Sequence, residues 1–216
     1  PEKWHGLKDV ETRFRRRYLD LISNREAMDI FVKRSLIIRR FRKCLEDRGF
    51  LEVATPTMQP IPGGAAAKPF ITHHNALDME LYMRIAPELY LKRLLVGGME
   101  RVFEIAKCFR NEGISTRHNP EFDMCEIYQA YGDCEAMMEL CEHIVSSICT
   151  DVLGTFKVQF GDLELDFTPP WRRASFIDLV RDAAGLDPWD EKAVREALKK
   201  YNIEEPTPTH GYALQA

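Results

Sequence analysis

The chain has 216 residues, 45% of them hydrophobic, and a formal net charge of −4. That is enough apolar material for the core of one domain, or of a large domain with an appendage. A general basic coat for nucleic acid is excluded, so DNA is not an expected partner and any RNA contact must come from local patches. No apolar run approaches the ~20 residues that span a bilayer, and residues 1–6 do not form a signal peptide. A cytoplasmic protein is expected. Cys44, Cys108, Cys125, Cys134, Cys141 and Cys149 contain no C-x-x-C pair, so they read as reduced core thiols and not as a zinc site. Cys134, Cys141 and Cys149 recur at helical spacings, which fits packing. The start at Pro1, without a methionine, and the stop after Thr209–Ala216 read as cuts in a longer protein.

Residues 9–22 are charged and helical in pattern, with Arg13, Arg15, Arg16 and Arg17 clustered. Either a solvated helix face or a phosphate-facing patch accounts for them. Residues 24–48 predict the clearest helix, with Ile30, Phe31, Ile37, Ile38, Phe41 and Leu45 on one face as core or interface. Gly49 suits its stop. A strand over 50–55 follows, ended by Pro56. Residues 60–69 predict a loop in which Gly63 and Gly64 leave room for a close backbone approach to a ligand, or for a tight turn.

Strand-like segments at 69–72 and 81–85 precede a helix beginning near Pro87, with Glu88 at its positive end. The adjacent His73 and His74 point to opposite faces of a strand, which suits a structural role and not a shared metal. Strands are predicted at 101–109 and 123–131, and a helix at 134–153 stopped by Gly154. A hairpin follows at 155–160 and 163–168, turning at Gly161 and Asp162. A helix opened by Ser175 and closed by Gly185, and another opened by Asp187 to Asp190 and running to about Tyr201, complete the chain. Hairpins interleaved with segregated helices indicate an α+β fold with a mainly antiparallel sheet flanked by helices.

The segment from Phe109 to Phe122 concentrates arginine, acid and histidine between two alternating apolar strands. Alternation puts Glu126 and Tyr128 on one face, and Glu104, Ala106, Arg110 and Glu112 on one face of the incoming strand. Paired as a hairpin, Arg110, Glu112, Glu126 and Tyr128 line one open surface. A guanidinium fork suits phosphate or carboxylate. Glu126 and Glu88 suit an ammonium, and Phe122 suits a flat ring. The set fits a zwitterionic amino acid beside a nucleotide.

These segments resemble the class II aminoacyl-tRNA synthetases, and among them the lysyl-tRNA synthetase family. Arg48 to Pro56 is similar to that family's first motif. Phe109 to Glu112 with Arg117 to Phe122 is similar to its second. Ile61 to Ala65, Arg84 to Tyr90 and Glu126 to Tyr128 point to lysine, and Trp4 to Leu7 with Arg17 to Leu21 resembles the lead-in from an anticodon-binding domain. The resemblance implies residues 1–22 as that lead-in and 23–216 as the N-terminal part of the catalytic domain. It implies ATP-dependent formation of lysyl-adenylate and transfer to tRNA(Lys) by a homodimer that meets through the first motif. Arg110 would bridge the lysine carboxylate and the α-phosphate, and is the catalytic candidate. Glu112 would receive the adenine amino group, and Phe122 would stack on adenine. Asn111, His118 and Asn119 would complete the nucleotide site. Gly64, Glu88 and Glu126 would surround the α-ammonium, with Tyr128 toward the side-chain ammonium. The family's third motif is missing, as are its Mg²⁺ ligands and the acid for the ε-ammonium, all expected beyond residue 216. This chain alone is therefore expected to be inactive or weakly active. The related ligase that modifies elongation factor P, an aspartyl or asparaginyl enzyme, and a non-catalytic binding fragment are the alternatives. Residues 4–21 weigh against the first, and Glu88 and Tyr128 against the second.

Overall fold

Asp9 opens the first helix by accepting the Thr12 N–H at 2.9 Å, an N-cap that satisfies a donor left free at a helix start. The computed structural model describes residues 6–203; Trp4 and His5 of the lead-in, and the terminal residues 209–216, lie outside the described residues. α1 (Val10–Arg15) breaks at Arg16 (φ −122°, ψ 58°) and the chain resumes as α2 (Arg17–Ser23). The single helical stretch expected over 9–22 is therefore two short helices. The buried Asp20 carboxylate accepts from Arg13 at 2.7 Å, from Asn24 at 2.5 Å and from Arg17. Asn24 in turn donates to the Leu7 carbonyl at 3.1 Å. Arg15 pairs with Glu11. Arg13, Arg15 and Arg17 are thus engaged within the chain, which favours the solvated helix face over the phosphate-facing patch.

α3 (Arg25–Glu46) ends as expected, with Gly49 in the left-handed region at φ +78° and the Phe50 N–H donating to the Leu45 carbonyl. Its C-terminal half supplies Cys44 and Leu45 to a core completed by Phe50, Phe103, Leu140 and Ile144. Its N-terminal half does not follow: Ile30 is 66% exposed and Phe31 42%. β1 (Leu51–Glu52) is shorter than the strand predicted over 50–55, although the Val53 N–H still donates to the Phe103 carbonyl at 2.9 Å, and the chain then leads on to β2 (Met58–Gln59). β3 (Ile71–His74) and β4 (Met79–Met83) complete a small antiparallel sheet in the order β2-β4-β3. His73 lies 3.3 Å from Asp78, and His74 Nδ1 accepts the Leu77 N–H, so both histidines brace the β3–β4 turn.

α4 (Glu88–Val96) starts directly after Pro87, and β5 (Arg101–Phe109) and β6 (Glu121–Gln129) form the central antiparallel ladder. β1 adds to β5 in parallel, giving the order β1-β5-β6. The second strand lies two residues earlier than the predicted 123–131, since Tyr131 has already turned to φ +60°. α5 (Cys134–Ile148), capped by Asp133, continues into one π-helical turn over Cys149–Leu153 and stops at Gly154, φ +71°. Its buried face runs through Leu140, Ile144 and Ser147. Cys134 and Cys141 face solvent, against the expectation of core thiols, whereas Cys44, Cys108 and Cys149 are buried. The two exposed cysteines are seven residues apart, which repeats one helix face, but it is the face away from the core.

A hairpin of β7 (Lys157–Phe160) and β8 (Leu163–Asp166) follows. From Pro170 a second compact unit holds α6 (Phe176–Ala184), closed by Gly185 at φ +65°, and α7 (Glu191–Lys200), whose Val194 and Leu198 pack with Leu186. The α+β class with mainly antiparallel sheets stands. Among the described residues no helix is long and apolar enough to cross a membrane.

The loop at 60–69 packs its glycines against α4. A Cβ on Gly64, which sits at φ +88°, would lie 2.9 Å from Glu88 Cβ and 3.1 Å from Ala86 Cβ. A Cβ on Gly63 would lie 2.5 Å from Leu89 Cδ1. Gly64→Ala is therefore expected to destabilise by more than about 1 kcal/mol, because it adds a contact to a backbone conformation alanine adopts poorly. Denaturant unfolding of the complete protein checks this, and an unchanged midpoint would contradict the packing described.

Candidate active site

The register of the central ladder divides charge from core. Glu104 stands opposite Glu126, Val102 opposite Tyr128, and Cys108 opposite Phe122. Because side chains alternate, Phe103, Ile105, Cys125 and Ile127 face the core. The other face carries Glu104, Cys108, Phe122, Glu126 and Tyr128, and the chain leaves β5 at Arg110 on the same side. The Arg110 N–H still donates to the Pro120 carbonyl at 2.9 Å, which extends the ladder by one pair.

Beyond the end of the ladder the hairpin opens into a cleft of about 500 Å³ lined by Arg110, Glu112, Arg117, His118, Asn119 and Phe122, among others. The Arg110 guanidinium lies 5.1 Å from the Phe122 ring centroid, within cation–π range. Its Nε is buried without a hydrogen-bond partner. A buried charged donor left so is costly, and an anionic acceptor entering the cleft would satisfy it. His118 is held at the tip. Its Nδ1 lies 2.8 Å from Ser115 Oγ, and the two backbones exchange N–H···O bonds. Asn111 does not line the cleft; its N–H donates to the Lys68 carbonyl at 2.8 Å. Glu112 Oε1 accepts the Lys68 N–H at 3.2 Å, so the glycine loop is stitched to the base of the hairpin.

Gly64, Glu88, Glu126 and Tyr128 gather at the other end of the face. α4 packs on β5 and β6 and sets Glu88 there, with Gly64 against it. Tyr128 Oη donates to Glu126 Oε2 at 2.9 Å. Burial pushes the Glu126 carboxyl above the usual glutamate range. The Tyr128 hydrogen bond opposes this, and the charges of Glu88 and Glu104 add to the rise. Burial and the Glu126 charge together push the Tyr128 hydroxyl up. Glu88 itself is half-buried and pairs with Lys92 at 2.6 Å. Carboxylates crowded this way repel one another, and a cation placed near both relieves the repulsion. The buried Cys108, whose thiol is pushed up by burial, lies on the same face between Glu104 and Arg110 along the chain.

Several participants were not singled out from the sequence. Arg117 lines the cleft. Lys68 joins loop to hairpin through its backbone, for which the sequence offers no signal. Arg84 and Glu104 form a buried pair at 2.5 Å beneath the face. An acid set among Val102, Phe103, Ile105 and Ala106 was the available clue, since it requires a buried cation nearby.

The family model for class II tRNA synthetases (D, K and N) matches residues 9–212. A lysine–tRNA ligase of Syntrophomonas wolfei is 68% identical over 187 residues, which is 87% of this chain and 38% of the relative. Those of Halalkalibacterium halodurans and Clostridium botulinum are 55% and 60% identical, over 99% and 87% of this chain and 44% and 37% of their own lengths. The chain thus spans about two fifths of the length of these curated relatives. With the family match running through both strands of the central hairpin and the helices around them, the chain belongs to the class II tRNA synthetases of the D, K and N group.

Proposed function

We propose that the protein containing this chain is a lysine–tRNA ligase, which joins lysine to ATP as lysyl-adenylate and then transfers the lysyl group to tRNA(Lys). The observation that carries the reading is the charge order along one sheet face. A buried, unpartnered guanidinium donor stands over an aromatic ring at one end, and crowded carboxylates stand at the other. That order matches an amino acid whose carboxylate faces a nucleotide and whose ammonium faces away. The names of the relatives supply lysine and tRNA as the specific partners.

In this reading the lysine carboxylate and the ATP α-phosphate meet at Arg110. A carboxylate oxygen attacks the α-phosphorus, the P–O bond to the β-phosphate breaks, and pyrophosphate leaves with the electron pair. The protein transfers no proton. Arg110 aligns two anions and stabilises charge that grows on the phosphoryl oxygens. Phe122 offers its ring to adenine, Glu112 accepts from the adenine amino group, and His118 and Asn119 shape the cleft, while Asn111 acts from outside it by tying the hairpin to the Lys68 carbonyl. Gly64, Glu88 and Glu126 receive the α-ammonium, and Tyr128, pinned by Glu126, points toward the side-chain ammonium. Among the described residues no three His, Cys, Asp or Glu side chains converge as a metal site, and the roles assigned here run through no metal.

The apolar, exposed N-terminal half of α3, with Ile30 and Phe31, and the segment at Pro56 are assigned to a homodimer contact. Residues 1–22 are assigned as the lead-in from an anticodon-binding domain and 23–216 as part of the catalytic domain, working in the cytoplasm.

Arg110→Ala is expected to lower lysine-dependent ATP–pyrophosphate exchange by the complete protein roughly 10²–10³-fold, the usual loss for one preorganised charge-stabilising donor. Exchange at the parent rate would remove Arg110 from the reaction. The Glu126 carboxyl yields a pH test. Its protonated form cannot attract an ammonium, so lysine affinity should fall as pH drops through a range lying above the ordinary glutamate value of 4.5. Its raised value also means that its contribution to stability is present at low pH and lost as pH rises through the folded value. Glu126→Gln should therefore keep or raise the unfolding temperature near neutral pH while weakening lysine binding about tenfold or more. Calorimetric titration and thermal unfolding at several pH values check both, and a variant less stable than the parent at pH 7 would contradict the assignment.

A further inference from the structure

Arg84 is 6% exposed and Glu104 4% exposed, and Glu104 stands opposite Glu126, a residue of the proposed amino-acid end of the site. Arg84 Nη1 donates to Glu104 Oε1 at 2.5 Å and to the Thr55 carbonyl at 3.2 Å. Arg84 Nε donates to the Lys107 carbonyl at 2.8 Å. Thr55 Oγ1 completes the ring by donating to the second Glu104 oxygen, Oε2, at 2.6 Å. The Arg84 backbone is fixed as well. Its N–H donates to the Thr57 carbonyl at 2.8 Å, and its carbonyl accepts the Phe109 N–H at 2.9 Å. One guanidinium thus joins the segment after β1, the end of β4 and the centre of β5.

Stability alone does not account for such a pair. Buried ion pairs are often replaced by apolar residues at no loss, so their value is geometric where they have one. The geometry here is specific. Arg84 lies four residues before Glu88, and the intervening Ile85, Ala86 and Pro87 are all buried, so fixing Arg84 fixes the start of α4. Glu104 stands opposite Glu126 in the β5–β6 register. Arg84 engages one of the three acids on this part of the face; Glu88 pairs through Oε1 with Lys92 and Glu126 accepts through Oε2 from Tyr128, so each of these two has its second carboxylate oxygen to offer a ligand.

We propose that Arg84, Glu104 and Thr55 are positioning residues that set the spacing and availability of Glu88 and Glu126 for an amino acid's ammonium. This rests on the lysine-activating reading above. The test is lysine-dependent ATP–pyrophosphate exchange by the complete protein. Thr55→Val keeps the shape and removes the hydroxyl, which donates to Glu104 and accepts from Arg84 Nη1 at 3.4 Å, and Glu104→Gln keeps the shape and removes the charge. Both should raise the KM for lysine about tenfold while the KM for ATP stays within about twofold, because the nucleotide cleft does not depend on this ring. Thr55→Ser should restore the lysine KM. A purely structural role would instead lower the unfolding temperature and move both constants together. The proposal is overturned if folded Thr55→Val and Glu104→Gln proteins show the parent lysine KM, or if the KM values for lysine and ATP rise in parallel. A parent with no lysine-dependent exchange would overturn the activity reading itself, so the two failures are distinct.

Discussion

Everything at the proposed site depends on the register of one antiparallel ladder. Pairing Arg101 with Gln129 through to Phe109 with Glu121 places Phe103, Ile105, Cys125 and Ile127 in the core and leaves Glu104, Glu126 and Tyr128 on the opposite face. A slip of one residue would exchange the two sets and bury the carboxylates in the packing of Leu45 and Leu140. The hydrophobic core therefore enforces the chemistry: the apolar side of each strand can be satisfied in only one register, and the polar side is carried along. α3 and α5 hold that core side in place, and β1 and α4 add the groups that complete the other.

Polarity changes along the face within a short distance. At the hairpin opening, the local charge is positive and a donor is unsatisfied. Near Glu126 it is negative, and burial amplifies the repulsion between acids. A zwitterion laid along this gradient has both of its ends matched by fixed groups. Such preorganisation removes the reorganisation that water would have to undergo in solution. The buried Arg84–Glu104 pair belongs to the same economy of charge, since it withdraws one acid from the face without leaving it unpaired.

The parts of this arrangement that were legible in the sequence were those governed by local periodicity. The alternation at 101–109 located β5 without error, and the helical spacing of Leu45 and its neighbours located α3. Positive-φ glycines marked the ends of α3, α5 and α6. Arg110, Glu112, His118, Asn119 and Phe122 come together in one cleft because a single hairpin carries them. Contacts that depend on distant segments were not legible. The break at Arg16 is bound up with Asp20, which ties Arg13, Arg17 and Asn24 together across that break. Asn111 turned its backbone to Lys68, outside the cleft. Cys134 and Cys141 had the spacing of a helix face, but periodicity alone does not say which face meets a core.

The two ends of the site also differ in how far apart their parts lie along the chain. The cleft around Arg110 is drawn from residues 110–122, so one hairpin assembles it. The carboxylate end joins Gly64, Glu88 and Glu126, and its support joins Thr55, Arg84 and Glu104. Closing those longer loops costs chain entropy that the hairpin does not incur, and non-local contacts of this kind form late in folding. The nucleotide end can therefore take shape as a local unit while the amino-acid end waits for the domain to close. Partial unfolding would run in the reverse order, dismantling amino-acid recognition before the hairpin itself opens.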